Sequence, residues 1–267
     1  MKSVKKNLNS YYFSNPSDNI VERKLEDIKL RYFYFEKELS LQSKSREIVN
    51  GCLLEGKGML YFEGNSYEIN KFDIFFLPPN KSIKINLQDS NSSKICLMHY
   101  EVKNKVNAKF ELEKFNLEKF LPRGEHSSSK LMSTYRTVWT AIKNGYFISG
   151  FTNIPPSCLK EGTITSVNLE KNENGNEEIY AHIHPGNPEV YIACIDEKKY
   201  ALTQYLISQE GISVSRDLTD GEGAFFPGEC GHSNFARPTY KNLQYCMYLW
   251  IIPTFGRSTT VNPITLK

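Results

Sequence analysis

Two histidines and a glutamate lie within eight residues of one another in the second half of this sequence. They are His182, His184 and Glu189, and a third histidine, His232, follows further along the chain. Imidazole and carboxylate groups are the ligands that zinc, manganese, iron and nickel sites share. The residue types and their spacing therefore predict a metal centre whose ligands are His182, His184, Glu189 and His232.

A β-strand is the element that would position the two clustered histidines. Side chains two residues apart on a strand face the same side, so His182 and His184 would point together into the space that the sheet encloses, with Tyr180 beside them. The Pro- and Gly-containing turn at residues 185–188 would return the chain so that Glu189 reaches the same point. Four protein ligands leave one or two coordination positions open, which is typical of a catalytic metal site.

Several polar and aromatic residues share strand faces with these ligands. Tyr191 has the same parity as Glu189 and is a candidate proton carrier, as is a metal-bound hydroxide. The candidate substrate-binding residues are Tyr180, Gln204, Tyr248 and Trp250. Aromatic residues at alternate strand positions also commonly form the core of a barrel. His99 and His126 lack partners at ligand spacing, and we expect them to be ordinary side chains.

Composition and charge narrow the class of partner. The chain has 267 residues, with 33 Lys and Arg against 30 Asp and Glu and a formal net charge of +3. Such a balance creates no strong field for nucleic acid or an anionic membrane, so we expect a small-molecule partner. The six cysteines are scattered singly, and no signal peptide or apolar run of membrane-spanning length is visible. We therefore expect a soluble cytoplasmic protein.

The pattern of short apolar runs separated by turn signals predicts an all-β protein with a few short helices. The run from Asp73 to Pro78 resembles the run from Glu222 to Pro227, since each has an acidic residue five positions before a proline. Two related barrels would explain this internal repeat. The predicted divisions are an N-terminal arm at 1–29, a first barrel at 30–103, a connector at 104–133 with a short helix near 111–120, and a metal-binding second barrel at 134–267.

The ligand spacing also points to a known family. The pattern His-x-His-x4-Glu, followed by Gly-x5-Pro-x4-His at Gly221, Pro227 and His232, resembles the two metal-binding motifs of the cupin superfamily. This resemblance implies that both barrels are of the jelly-roll type. Three residues depart from the family pattern, all of them near turns: Asp196, Glu229 and Asn234.

The layout of two barrels with ligands only in the second resembles the 5-dehydro-4-deoxy-D-glucuronate and 5-deoxy-glucuronate isomerases, over about residues 45–255. The proline alignment places Ile83 where the second barrel has His232, so the first barrel is expected to bind no metal. The resemblance implies an aldose–ketose isomerase that acts on a uronic-acid-derived sugar such as a deoxy-uronate. It also implies a homo-oligomer and a divalent metal, foremost zinc, with manganese, iron and nickel left open.

Two other functions are compatible with the same ligand set. One is a cupin dioxygenase, in which Fe(II) or Ni(II) has open positions for oxygen. The other is a non-enzymatic sugar-binding cupin, in which the metal only orients a ligand. The sequence has no recognisable helix-turn-helix segment or basic stripe, which speaks against a transcription regulator.

Overall fold

The structure is a computed structural model, and almost all of its regular secondary structure is β-strand. It describes residues 7–16, 20–88, 92–103, 105–122, 137–153, 165–166, 169–171, 177–179, 181–236, 243–254 and 262–264. Two short 3₁₀ helices, at Leu8–Tyr11 and Leu117–Lys119, are the helical elements within these ranges. The described residues include no helix that is both long and apolar enough to span a membrane.

Twelve strands lie in the first half of the chain. They are β1 (Tyr12–Phe13), β2 (Val21–Leu25), β3 (Ile28–Phe35), β4 (Glu38–Gln42), β5 (Glu47–Glu55), β6 (Lys57–Phe62), β7 (Asn65–Asn70), β8 (Ile74–Leu77), β9 (Ser82–Leu87), β10 (Ser93–Glu101), β11 (Glu111–Glu113) and β12 (Leu121–Pro122).

The second half contributes thirteen more strands within the described ranges. They are β13 (Thr137–Lys143), β14 (Phe147–Asn153), β15 (Thr165–Ser166), β16 (Leu169–Lys171), β17 (Glu177–Ile179), β18 (Ala181–Ile183), β19 (Glu189–Ile195), β20 (Leu202–Ile207), β21 (Ser213–Leu218), β22 (Gly223–Phe226), β23 (Gly231–Ala236), β24 (Cys246–Pro253) and β25 (Asn262–Ile264).

Two barrels form, each from two antiparallel sheets, and the first-half strands β1 and β12 join the second barrel. In the first barrel a sheet of order β11-β8-β5-β10-β3-β2 packs on a sheet of order β4-β9-β6-β7. In the second barrel the sheets have the orders β1-β22-β19-β24-β14-β13-β12 and β21-β20-β23-β18-β25. The predicted all-β fold of two barrels is confirmed.

Three apolar clusters hold these sheets together. One fills the first barrel, and it includes Leu53 and Ile85. A second fills the second barrel and includes Leu206 and Phe226. The third joins residues of the two large sheets from both halves, so the barrels pack face to face. Burial of this apolar surface is the main stabilising contribution in such a fold.

Strand β19 shows how one strand serves two of these clusters. All seven of its residues are buried. Tyr191 and Ala193 belong to the cluster inside the second barrel, whereas Val190 and Ile192 belong to the cluster between the barrels. Side chains alternate across a strand, so Glu189 and Tyr191 share the face that lines the barrel interior, as predicted.

The internal repeat predicted from Asp73 and Glu222 has a structural basis. Each residue follows a tight turn, and its carboxylate accepts the backbone N–H three positions earlier, from Asn70 at 2.8 Å and from Thr219 at 2.9 Å. The residue before each acid has a positive φ, which is 73° at Phe72 and 82° at Gly221. The two halves therefore enter strands β8 and β22 through equivalent turns.

The arm and the connector both differ from simple linkers. Strand β1 of the N-terminal arm pairs with β22 at the edge of the second barrel, whereas β2, which also lies in the arm, pairs with β3 at the edge of the first barrel. In the connector, a short helix was expected near residues 111–120, but residues 111–113 form strand β11, which pairs with β8, and Leu117–Lys119 is the helical part of that range. The carboxylate of Asp73 accepts the backbone N–H of Phe115 at 2.7 Å, which fixes the connector to the first barrel.

Candidate metal centre

The four predicted metal ligands meet inside the second barrel. His182 on β18 pairs directly with His232 on β23, and residues opposite each other in an antiparallel pair present side chains on the same face. His184 immediately follows β18, and Glu189 begins β19 in the facing sheet. The cluster therefore joins both sheets of the barrel.

The distances between the ligand atoms are those of a compact cluster. The candidate nitrogen atoms of the three histidines lie within 4.8 Å of one another. Oε2 of Glu189 lies 3.2 Å from Nε2 of His184 and 3.2 Å from Nε2 of His232. Ligands bound about 2.1 Å from a shared ion stand about 3.0–3.4 Å apart at octahedral or tetrahedral angles. The carboxylate–imidazole spacing thus fits a metal ion.

The protonation of His232 supports the same conclusion. Its Nδ1 lies 3.2 Å from the carbonyl oxygen of Cys230, which can only accept, so Nδ1 donates and Nε2 presents a lone pair. That lone pair faces Oε2 of Glu189, a second acceptor. A proton placed between Nε2 of His232 and Oε2 of Glu189 would remove the repulsion between these two acceptors. Three imidazoles and a carboxylate converge here, however, and one proton cannot serve all of them. A divalent cation satisfies all of them at once.

Glu189 is held in its anionic form although it is almost completely buried. Burial by itself raises the pKa of this carboxyl group, but His184 and His232, when they carry a proton, more than offset it through their charge and hydrogen bonds and lower the pKa to about 2. Glu189 is 1% exposed. A buried carboxylate that stays ionised at neutral pH is a ready anionic ligand for a cation.

A close backbone contact fixes the position of His184. The N–H of His184 donates to the carbonyl oxygen of Gly228 at 2.9 Å, and the N–H of Gly186 donates to Oε1 of Glu229 at 3.0 Å. A Cβ atom on Gly228 would clash with the carbonyl oxygen of His184 and the backbone of Asn187. Gly228 and Glu229 thus join the ligand turn at 184–187 to the turn before β23.

We expect Gly228→Ala to lower metal affinity about 10–100-fold, the range found when an outer-shell support is lost, because the added methyl pushes His184 away. Gly211→Ala is the control, since Gly211 also lies in a turn but has nothing within 4 Å of the added Cβ. At φ 80° this control costs about 1 kcal/mol of stability without changing metal affinity. Competition with a fluorescent zinc chelator measures both affinities, and equal values for the two variants would contradict the assigned role of Gly228.

The predicted pocket residues are placed as follows. The ring of Tyr191 lies 5.3 Å from the ring of His232 and 4.8 Å from that of Tyr248, so it lies against the ligand cluster. Trp250 packs against the interior cluster and donates to Oγ1 of Thr152 at 3.1 Å. Gln204 is fully buried on β20. Tyr180 lies outside the described residues.

The first barrel carries different side chains at the equivalent positions. Val49 pairs with the residue before Pro78 just as Glu189 pairs with the residue before Pro227. Leu41 pairs with Ile83 just as His182 pairs with His232. The positions that correspond to the four ligands are therefore occupied by Leu41, Ser43, Val49 and Ile83. The apolar side chains among them offer no atom that could bind a metal ion.

His99, one of the two histidines expected to be ordinary side chains, does not lie in the cluster. His99 lies on β10 of the first barrel, where its Nδ1 is 3.2 Å from Oε1 of Glu47. This contact gives Nδ1 a partner, whereas Nε2 of His99 has none among the described residues. His126 lies outside the described residues.

Sequence reasoning missed three features of this site. Tyr12 of the arm is buried inside the second barrel, and its hydroxyl donates to the carbonyl oxygen of Gln204 at 2.9 Å. Asn234 lies opposite Gln204 on β23, on the same face as His232. The support from Glu229 and Gly228 was also missed. The departure from the family pattern at Glu229 could have indicated the support from Glu229 and Gly228. The residues around Tyr12 contain no pattern that would have indicated its role.

Comparison with known proteins shows likeness in structure alone. No family model matches the sequence, and no curated protein matches it. Three solved structures that resemble the chain are AerE from Microcystis aeruginosa (12% identity, TM-score 0.56, 88% of this chain and 91% of that one), an IolB-like protein from Salmonella typhimurium (11%, 0.55, 91% and 91%) and an oxalate decarboxylase from Lactobacillus farciminis (12%, 0.54, 96% and 88%).

These likenesses extend over both halves of the chain. The shared part is most of each protein, so the whole two-barrel arrangement is common to them and not one barrel alone. At such low identity the comparison establishes the fold and leaves activity to the site itself. The chain is a protein of the double-barrel cupin fold.

Proposed function

We propose that this protein is a zinc-dependent isomerase that interconverts the aldose and ketose forms of a uronic-acid-derived sugar such as a deoxy-uronate. The observation that carries the proposal is the buried cluster of His182, His184, Glu189 and His232 with the ring of Tyr191 against it. The sequence resemblance to the uronate isomerases supports it. So does the shared fold of the IolB-like protein.

Aldose–ketose interconversion suits a site of this kind. The reaction moves one proton from C2 to C1 and one from the C2 hydroxyl to the C1 oxygen, so it needs no external oxidant or reductant. When bound, the metal ion would supply Lewis-acid polarisation of the substrate carbonyl. The remaining requirement is a group that carries a proton between adjacent carbons.

The residues of the chain divide these tasks. The three imidazoles and Glu189 hold the ion, and the hydrogen bond from His232 to Cys230 fixes the orientation of one imidazole. Tyr191 is the proton carrier in this proposal, because its ring lies against His232 and on the same strand face as Glu189. The apolar side chains of Leu206 and Phe226 in the same barrel keep bulk water away from the reacting carbons.

The test is an NMR assay in D₂O of the zinc-loaded protein with a panel of deoxy-uronates and related keto sugars. We expect conversion of one member, with deuterium appearing on a carbon next to the carbonyl. Tyr191→Phe should retain zinc and lose about 10²–10⁴-fold in turnover, the usual contribution of a positioned proton carrier. Tyr61→Phe is the control, because Tyr61 is exposed on β6 of the first barrel, and we expect it to keep full activity.

Three results would count against this proposal. Full activity in Tyr191→Phe would remove that residue from the reaction. Absence of conversion across the panel with zinc bound would remove the isomerase assignment and favour a sugar-binding protein. Oxygen uptake with a substrate, in protein loaded with Fe(II) or Ni(II), would instead identify a dioxygenase, since isomerisation consumes no oxygen.

A further inference from the structure

Two buried amide side chains lie one step along the strands from the metal ligands. Gln204 on β20 pairs with Asn234 on β23, and the next inward-facing pair is Leu206 with His232. Two residues along a strand span about 7 Å. The amides therefore form the layer of the barrel interior next to the metal ligands.

Three of the four polar atoms of these two amides lack hydrogen-bond partners among the described residues. Neither Oε1 nor Nε2 of Gln204 has a partner, and neither does Nδ2 of Asn234, although Gln204 is 0% exposed and Asn234 is 3% exposed. Buried polar groups are nearly always hydrogen-bonded, and an unsatisfied one is destabilising. Two such side chains facing each other beside a candidate metal centre call for a functional reason.

The inventory of donors and acceptors defines what would satisfy them. The two amide nitrogens carry four N–H donors, against one acceptor at Oε1 of Gln204. A donor-rich layer is complementary to a ligand that is rich in oxygen atoms. Both side chains are enclosed, so the oxygen atoms of a ligand that enters the barrel would take the positions in which ordered buried water satisfies such groups.

We infer that Gln204 and Asn234 bind the hydroxyl oxygens of a hydroxylated carboxylic acid whose other end lies at the metal. This inference rests on the proposed sugar substrate and names the residues that select for its hydroxyl groups. The hydroxyl of Tyr12 holds the backbone of Gln204 through the bond at 2.9 Å, so the arm keeps the amide layer in place.

The inference predicts opposite effects on stability and on binding. Gln204→Met replaces an unsatisfied amide with an apolar side chain of similar length, so the ligand-free protein should unfold about 2–4 °C higher. The same change should weaken binding of D-glucuronate to the zinc-loaded protein at least about tenfold, and Asn234→Leu should do the same. Binding of cyclohexanecarboxylate, which has the carboxylate but no hydroxyl groups, should be unchanged in both variants.

A buried amide with an ordinary structural role provides the control. Oδ1 of Asn153 accepts the backbone N–H of Cys246 at 3.2 Å, so Asn153→Leu should lower the unfolding temperature and leave glucuronate affinity unchanged. Calorimetry measures unfolding and binding for every variant, and metal analysis checks that each retains zinc.

The inference fails if Gln204→Met lowers the unfolding temperature, or if glucuronate binds it as tightly as it binds the native protein. It also fails if the zinc-loaded native protein binds glucuronate no better than cyclohexanecarboxylate. The proposed isomerase reaction can fail independently of this inference. Glucuronate binding that depends on Gln204, in a protein that isomerises none of the sugars tested, would overturn the proposed reaction and leave the role of the amide layer standing.

Discussion

Replacing His184 with alanine should remove bound metal from the purified protein and abolish turnover while leaving the barrel folded. His184 contributes one of three convergent imidazoles, and its Nε2 lies 3.2 Å from Oε2 of Glu189. Loss of a direct ligand should exceed the roughly 10–100-fold cost of losing an outer-shell support. Metal analysis after dialysis and a chelator competition assay measure the loss.

His99→Ala is the matched control for this prediction. His99 is also a buried histidine next to a carboxylate, but it lies in the first barrel and contacts Glu47. We expect this variant to keep its metal and to lose only stability, by about 1–3 kcal/mol, because Glu47 loses its partner. Unchanged metal content in His184→Ala, or equal metal loss in both variants, would reject the assigned site.

The second large effect should come from the N-terminal arm. Replacing both Tyr12 and Phe13 with alanine should destabilise the protein by at least about 5 kcal/mol, since removal of one buried Phe side chain alone costs about 3–5 kcal/mol. Tyr12 is buried inside the second barrel, and Phe13 packs between the barrels with its ring 5.9 Å from that of Tyr32. That loss is comparable to the whole stability of many domains.

Urea unfolding followed by circular dichroism measures this effect. Tyr61→Ala is the control, because Tyr61 is 41% exposed and its replacement should change stability by no more than about 0.5 kcal/mol. If the double variant fails to accumulate in folded form, Tyr12→Phe replaces it in the test. This variant keeps the ring and removes only the hydrogen bond to Gln204, so its free energy of unfolding should fall by about 1 kcal/mol. An unfolding midpoint for the double variant equal to that of Tyr61→Ala would contradict the structural role of the arm.

Short apolar runs in the sequence predict many of the strands, but they do not mark strands that are exposed and polar or, like β23 with its buried residues 231–234, mixed in polarity. Strands such as β5 and β19 have long runs of buried apolar residues, and their local pattern was sufficient to predict them. Strands β4 and β21 are largely exposed and polar, and they were not predicted. Their conformation is imposed by pairing with β9 and β20, which a local pattern does not contain.

The amino-acid pattern was enough to predict the all-β class, the repeat of two barrels and the set of residues that converge near His232. It could do so because strand alternation and ligand spacing are local properties of the chain. The assignment of those residues as metal ligands, and the sugar substrate, stay predictions.

The packed fold was needed to see that Tyr12 is buried inside the second barrel and that Gly228 and Glu229 support the turn at residues 184–187. It also decided that Gln204 faces Asn234 without a partner in the described chain. Each of these facts depends on strand register and on contacts between residues far apart in sequence. Register is set by the packing of whole sheets, and no local pattern of residues specifies it.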